Sequence, residues 1–153
     1  MSHPFLSHLQ ERARACQRRI ALPEATEPRT LKAAALMEEQ GVARPVLVGE
    51  PDLVVAAAKQ VGVNVSGLDI RSPADEATVE VLAERFYQEA RAKGLTVDEA
   101  RQTLRDPLYF SALLVLTGEA AGYVAGATHT TAETVRPALR VFGTGPGVSR
   151  ISS

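Results

Sequence analysis

The sequence predicts an α/β fold: a three-layer α/β/α arrangement around a mostly parallel sheet. Three observations lead there. Short apolar runs of strand length alternate with longer stretches of helical spacing, the pattern of successive βαβ units. Helix starts are marked by capping residues or by a proline in the first turn, and helix ends by glycine. Aromatic residues make up only 5% and Trp is absent, so Ala, Val and Leu must fill the core, which suits close packing of helices on a sheet. A chain of 153 residues is long enough for one domain with a sizeable core.

Each element follows from local pattern. Residues 4–19 place Phe5, Leu6, Leu9, Ala13 and Cys16 along one face of an amphipathic helix, with Arg12, Arg14, Arg18 and Arg19 on its wet, basic side. Cys16 on that stripe is expected to be a small buried hydrophobe. Residues 20–22 form a first strand ended by Pro23. Thr26 is the expected N-cap of the next helix, with Pro28 in its first turn and Gly41 at its end. A second strand spans 45–48, a helix opens at Pro51 and runs to Val61, and a weak third strand covers 68–70.

Ser72, Pro73 and Asp75 supply a cap, a first-turn proline and a capping partner for a helix reaching about Lys93. Thr96 and Glu99 have capping-box spacing, and Asp106-Pro107 opens a helix through Leu116. Residues 123–125 suit a short buried strand. A last helix starts at Thr130, and Pro137 within it is expected to kink or restart it. Gly143, Gly145, Pro146 and Gly147 give the strongest linker signal, and residues 148–153 read as a strand just beginning. The expected organisation is therefore an N-terminal α/β domain over 1–142 and the start of a linker and second domain over 143–153.

Composition excludes several function classes. A formal net charge of −1 argues against general affinity for nucleic acid, which needs a concentrated basic surface. No apolar run approaches the roughly 18 residues of a membrane span, and the N-terminus lacks the apolar segment of a secretory signal. The single Cys16 fits a reducing compartment, so the expected location is the cytoplasm. No Cys/His spacing suggests a metal site, and there is neither a phosphate-cradling Walker loop nor a nucleophile elbow.

The chemistry concentrates between Gly118 and Ala138. An apolar run is broken by Gly126 and followed by Thr128, His129, Thr130 and Thr131, a dense group of hydrogen-bonding side chains. Thr130 and Glu133 have capping-box spacing. A strand passing through a small-residue loop into a helix N-terminus forms an anion site from backbone N–H groups and the helix dipole. Arg136 adds a fork for phosphate or carboxylate. Glu24 and Glu27 follow the first strand, where an acid is able to meet a ligand, but structural roles are favoured for both, and the helix dipole alone accounts for Glu27.

The stretch Ala125-Gly-Ala-Thr-His-Thr-Thr-Ala-Glu-Thr-Val-Arg-Pro-Ala138 closely resembles the signature of the phosphate acetyltransferase and butyryltransferase (phosphotransacetylase) family. Arg19-Ile-Ala-Leu-Pro-Glu24 with Glu27 and Arg29, Gly41-Val-Ala-Arg-Pro-Val-Leu-Val-Gly49, and Pro146-Gly-Val-Ser-Arg-Ile-Ser-Ser153 resemble further family segments in the same order. The resemblance implies the first lobe of a two-domain acyltransferase, which moves an acyl group between coenzyme A and inorganic phosphate. It implies small-molecule substrates (phosphate, acyl phosphate, and coenzyme A or acetyl-coenzyme A) and no bound cofactor. Gly126, Thr128, His129, Thr130, Thr131 and Arg136 are the phosphate-side residues it points to. Arg91 or Lys93 corresponds to a basic pair before a Lys-Gly-x-Thr turn in relatives, one residue out of step.

Two departures stand out. Gly143-Thr144-Gly145-Pro146-Gly147 replaces a Lys-x-Lys-Pro-Gly turn and removes positive charge. The family's later half, with its Ser-Arg pair, its catalytic Asp and most coenzyme A contacts, has no counterpart in these 153 residues. The expectation is a lobe that is inactive alone and self-associates through apolar surface at the junction. The rival reading is a non-catalytic module that binds phosphate or acyl phosphate. A dehydrogenase-like relative is disfavoured, because no Gly-x-Gly-x-x-Gly follows the first strand.

Overall fold

In the computed structural model, residues 4–144 are described. The chain runs α1 (Pro4–Cys16), β1 (Arg19–Leu22), α2 (Pro28–Gln40), β2 (Arg44–Val48), α3 (Pro51–Gln60), β3 (Asp69–Arg71) and α4 (Glu76–Ala90). It continues through a 3-10 turn (Arg91–Lys93), α5 (Val97–Thr103), α6 (Pro107–Leu116), β4 (Gly122–Tyr123) and α7 (Thr131–Phe142). The strand expected at 148–153 and the glycines at 145 and 147 lie outside the described residues.

The sheet has the order β3-β2-β1-β4, and every pairing in it is parallel. Successive strand residues point to opposite faces, and the burial follows that alternation. Ala21, Val46 and Val48 face one core with α4, α5, α6 and α7, while Leu22 and Leu47 face a second core with α2 and α3. Helices therefore cover both faces, giving the expected three-layer α/β/α fold. The innermost helix on the first face is α6, which touches β1, β2 and β4. Its residues Leu108–Leu114 are all buried, as an all-round apolar helix requires.

The chain steps outward from β1 to β2 to β3, then crosses back to lay β4 on the other side of β1. The reversal falls between β1 and β4. In open α/β sheets the crevice beyond the carboxyl ends of such strands is where ligands bind. The loops leaving β1 and β4 meet there.

Several sequence expectations need correction. Glu27, not Thr26, caps α2, its carboxylate accepting from the Arg29 N–H, because Pro28 takes the first helical position directly after it. Gly41 ends α2 at φ 63°, the left-handed conformation glycine adopts without penalty. Helix α4 begins at Glu76 with Asp75 as N-cap, so Pro73 precedes the helix, and α4 tightens into the 3-10 turn at Ala90 rather than continuing to Lys93. The capping boxes at Thr96–Glu99 and Thr130–Glu133 form as expected. Helix α7 runs through Pro137 as one element.

Two corrections concern burial. β4 covers only two residues, and Val124 just beyond it is 59% exposed, because β4 is a sheet edge whose Tyr123 alone turns toward the core. Helix α1 buries none of its residues, and Cys16 is exposed. Its apolar side borders only an open cavity of about 380 Å³ against Ile20, Val42 and Ala43. Leu6 and Leu9 on that side are 54% and 42% exposed, so much of the stripe remains in contact with water.

Neighbouring residues in α6 test the core from both directions. Phe110 is fully buried, and Phe110→Ala should lower unfolding stability by about 3–5 kcal/mol. The Ser111 hydroxyl is buried with no hydrogen-bond partner among the described residues. An unpaired buried hydroxyl is a net cost, so Ser111→Ala should raise stability by about 1 kcal/mol. Urea denaturation of both variants, read as shifts in midpoint at constant slope, checks the pair.

Candidate active site

The site is built from two loops at the carboxyl edge of the sheet. After β1, Pro23 ends the strand and Glu24 turns inward, with its side chain 3% exposed. After β4, the Val124 N–H still bonds to Ala21 O at 3.0 Å, holding the second loop beside the first. Gly126 then takes φ 106°, a conformation closed to other residues without strain, and this bend turns the following amides toward Glu24.

The Glu24 carboxylate fills the nest those amides form. Its Oε2 accepts from the N–H of Gly126 at 3.0 Å and of Ala127 at 2.7 Å. Its Oε1 accepts from Thr128 N at 2.8 Å, Thr128 Oγ1 at 3.0 Å and His129 N at 3.0 Å. The His129 ring completes the set, with Nδ1 2.8 Å from the same oxygen. Burial alone, the largest single influence, would push the Glu24 carboxyl up. The hydrogen bonds from the Thr128 backbone, the His129 ring, and the Ala127 and His129 backbones outweigh it together and lower the group from 4.5 to about 2.

Arg29 braces the loop from its carbonyl side. Its Nη2 donates to Ala127 O at 2.6 Å while Nε donates to Glu27 Oε1 at 2.5 Å. The hydrogen bond from Arg29, followed by its charge, holds the Glu27 carboxyl below the usual range. Tyr123 donates its hydroxyl to Thr134 O at 3.0 Å and ties β4 to the first turn of α7. The N-cap of α7 is closed by Thr130 Oγ1 accepting from Glu133 N and Glu133 Oε2 accepting from Thr130 N at 2.7 Å.

The phosphate-side residues expected from sequence fall into two groups. Gly126 and Thr128 point their donors inward to Glu24, and so does the His129 backbone. Thr130, Thr131 and Arg136 are exposed at the start of α7, and the His129 ring keeps 38% of its side-chain surface in solvent. Arg136 forms no ion pair among the described residues, and the first-turn amides of Thr131 and Ala132 have no intrahelical acceptor. No hydrogen bond or ion pair among the described residues joins Arg91 or Lys93 to this cluster. They precede α5, whose Glu99 feels Arg140 in the last turn of α7, about 15 Å along that helix from Thr130.

The structural role favoured for Glu24 from sequence is the one it plays, whereas the part of Arg29 as a brace on the Ala127 carbonyl was not revealed by the sequence. The available signal was that residues 125–132 hold a run of backbone amides but no acidic side chain of their own. Among the described residues no group of three or more His, Cys, Asp or Glu is placed to hold a metal ion. No described helix is long and apolar enough to cross a membrane.

The lowered Glu24 carboxyl has a definite sign in stability. Its folded value lies below the unfolded one, so its contribution is fully present above the ordinary carboxyl range and disappears as pH falls toward about 2. That contribution is on the order of 3 kcal/mol. In Glu24→Ala the fall in urea midpoint between neutral and acid pH should be shallower than in the unaltered chain, and formate or acetate should partly restore stability by refilling the nest.

Comparison with known proteins identifies the family. The family described as phosphate acetyl/butaryl transferase matches residues 4–153. A phosphate acetyltransferase of Acetivibrio thermocellus is 38% identical over 149 residues, covering 97% of this chain and 44% of that protein. The Escherichia coli phosphate acetyltransferase is 41% identical over 150 residues, 97% of this chain and 21% of that protein. Among solved structures, a phosphotransacetylase from Streptococcus pyogenes superposes with a TM-score of 0.89 at 34% identity, covering 98% of this chain and 46% of its own. The EutD phosphotransacetylase from Staphylococcus aureus gives 0.87 at 32% identity, with 95% and 44% covered. The chain thus spans less than half the length of these relatives. With nearly every residue matched, and with the His129–Arg136 motif at the sheet's reversal point, the chain belongs to the phosphate acetyl/butaryl transferase family.

Proposed function

We propose that this chain is the phosphate-side lobe of a phosphate acyltransferase, which moves an acyl group between coenzyme A and inorganic phosphate. Residues 1–142 form that lobe, and 143–153 lead into the second. The observation that carries the reading is the grouping of His129, Thr130, Thr131 and Arg136 around the start of α7, at the crevice where β1 and β4 part. A helix start offers unpaired N–H groups and a favourable dipole to an anion, and Arg136 brings an exposed guanidinium less than two turns further on. Gly126 and Thr128 serve the same site at one remove, by holding the loop on Glu24.

In the reaction, a coenzyme A thiolate attacks the acyl carbonyl of an acyl phosphate, the bond between the acyl carbon and the bridging oxygen breaks, and phosphate leaves with that oxygen and the electron pair. The reverse direction consumes acetyl-coenzyme A and hydrogen phosphate. Donors fixed on the departing phosphate stabilise the charge that develops there. Both substrates are small molecules, and coenzyme A acts as a substrate rather than a resident cofactor.

Charge-assisted hydrogen bonds contribute roughly 1.5–3 kcal/mol each, and three of them less the cost of association leave an affinity of about millimolar. Calorimetry on the purified chain should show phosphate binding in that range, and Arg136→Ala should weaken it about tenfold or more. The chain alone should form negligible acetyl phosphate from acetyl-coenzyme A. Turnover at a rate typical of enzymes, or phosphate binding unchanged in Arg136→Ala, overturns the reading. Phosphate binding without any coenzyme A binding instead favours a binding module.

A further inference from the structure

We infer that Glu24 is a positioning residue that locks His129 in its Nδ1–H form, leaving the outward Nε2 as a hydrogen-bond acceptor that selects an oxyanion still carrying a proton. The selection rests on the phosphate reading above, whereas the lock does not. An ionised carboxylate only accepts hydrogen bonds, so the 2.8 Å contact requires His129 Nδ1 to be the donor. In a neutral imidazole the other nitrogen then carries a bare lone pair. Among the described residues nothing donates to Nε2, and the ring edge is open to solvent.

The lock is built rather than incidental. The ring follows a backbone amide that is itself tied to the same Glu24 oxygen, so main chain and side chain of His129 are fixed by one group. The Glu24 oxygens are already surrounded by N–H and O–H donors, which leaves no position for a proton on the carboxyl. Carboxylate–histidine pairs of this kind set which nitrogen meets a ligand.

The chemical consequence is discrimination. Thr131 and Arg136 offer donors to any tetrahedral dianion, whereas the backbone N–H and hydroxyl of Thr130 are both committed to the Glu133 carboxylate. Nε2 adds an acceptor, which hydrogen phosphate meets with its P–O–H proton. Sulfate has no proton at neutral pH, so it presents a lone pair to a lone pair there. A site with a committed acceptor rejects the analogue that cannot satisfy it. Sulfate should therefore bind at least about tenfold more weakly than phosphate.

Histidine nitrogen NMR on the purified chain reads this directly, followed from neutral to mildly alkaline pH, a range in which phosphate keeps one proton. The chain has three histidines, and His129→Gln assigns the signal. The expected spectrum has a pyrrole-type Nδ1 and a pyridine-type Nε2, with Nε2 moved by inorganic phosphate and much less by sulfate. Glu24→Gln should lose the preference for Nδ1–H, and the unaltered chain still decides the matter if that variant misfolds. A neutral ring protonated at Nε2 overturns the lock, whether or not phosphate binds. Equal response to sulfate overturns the selection alone. The expected tautomer with no response to either anion overturns the phosphate reading and the selection with it.

Discussion

One buried carboxylate holds the two halves of the site together. Glu24 and the amides it gathers are 102 to 105 residues apart in sequence, so this contact converts the adjacency of β1 and β4 into a fixed spacing between their loops. A charge taken out of water is costly unless nearly every lone pair is met. Here the main chain of four consecutive residues, a hydroxyl and an imidazole meet them. The left-handed bend at Gly126, the rotamer of Thr128, the plane of the His129 ring and the point where α7 begins are all set by that requirement.

Much of the fold was legible from local pattern, because the signals involved are short-range. Capping boxes at Thr96 and Thr130 and the Asp106-Pro107 start need only residues three or four apart. The alternation of strand and helix fixed the three layers. What could not be read depends on neighbours distant in sequence. The stripe of α1 is amphipathic by spacing, yet spacing does not say whether anything covers it. The short reach of β4 follows from its place at the sheet margin. The loop of 125–130 was recognised as an anion receptor from its composition, but the occupant, Glu24, is a residue whose burial only the strand order reveals.

That occupancy divides the motif into an inner and an outer set. The amides of 126–129 serve the architecture, and the groups left for a ligand are the ones beyond them: the far side of the His129 ring, the opening turn of α7 and Arg136. Arg29 belongs to the inner set despite its charge, since its guanidinium is committed to Glu27 and to the Ala127 carbonyl. A guanidinium with both edges engaged is a brace, whereas Arg136 is exposed and makes no salt bridge among the described residues, its charge felt by Glu133 one turn before it.

The brevity of the outer strands carries a consequence for self-assembly. β3 has three residues and β4 two, so each flank of the sheet offers a foreign backbone only a few rungs. Fibril-forming stacks recruit segments of roughly six residues that zip along their whole length. Among the described residues the hydrophobic strands lie in the middle, and the flank at β3 is charged as well as short, with Asp69 and Arg71 in it, two features that both oppose ribbon-like polymerisation.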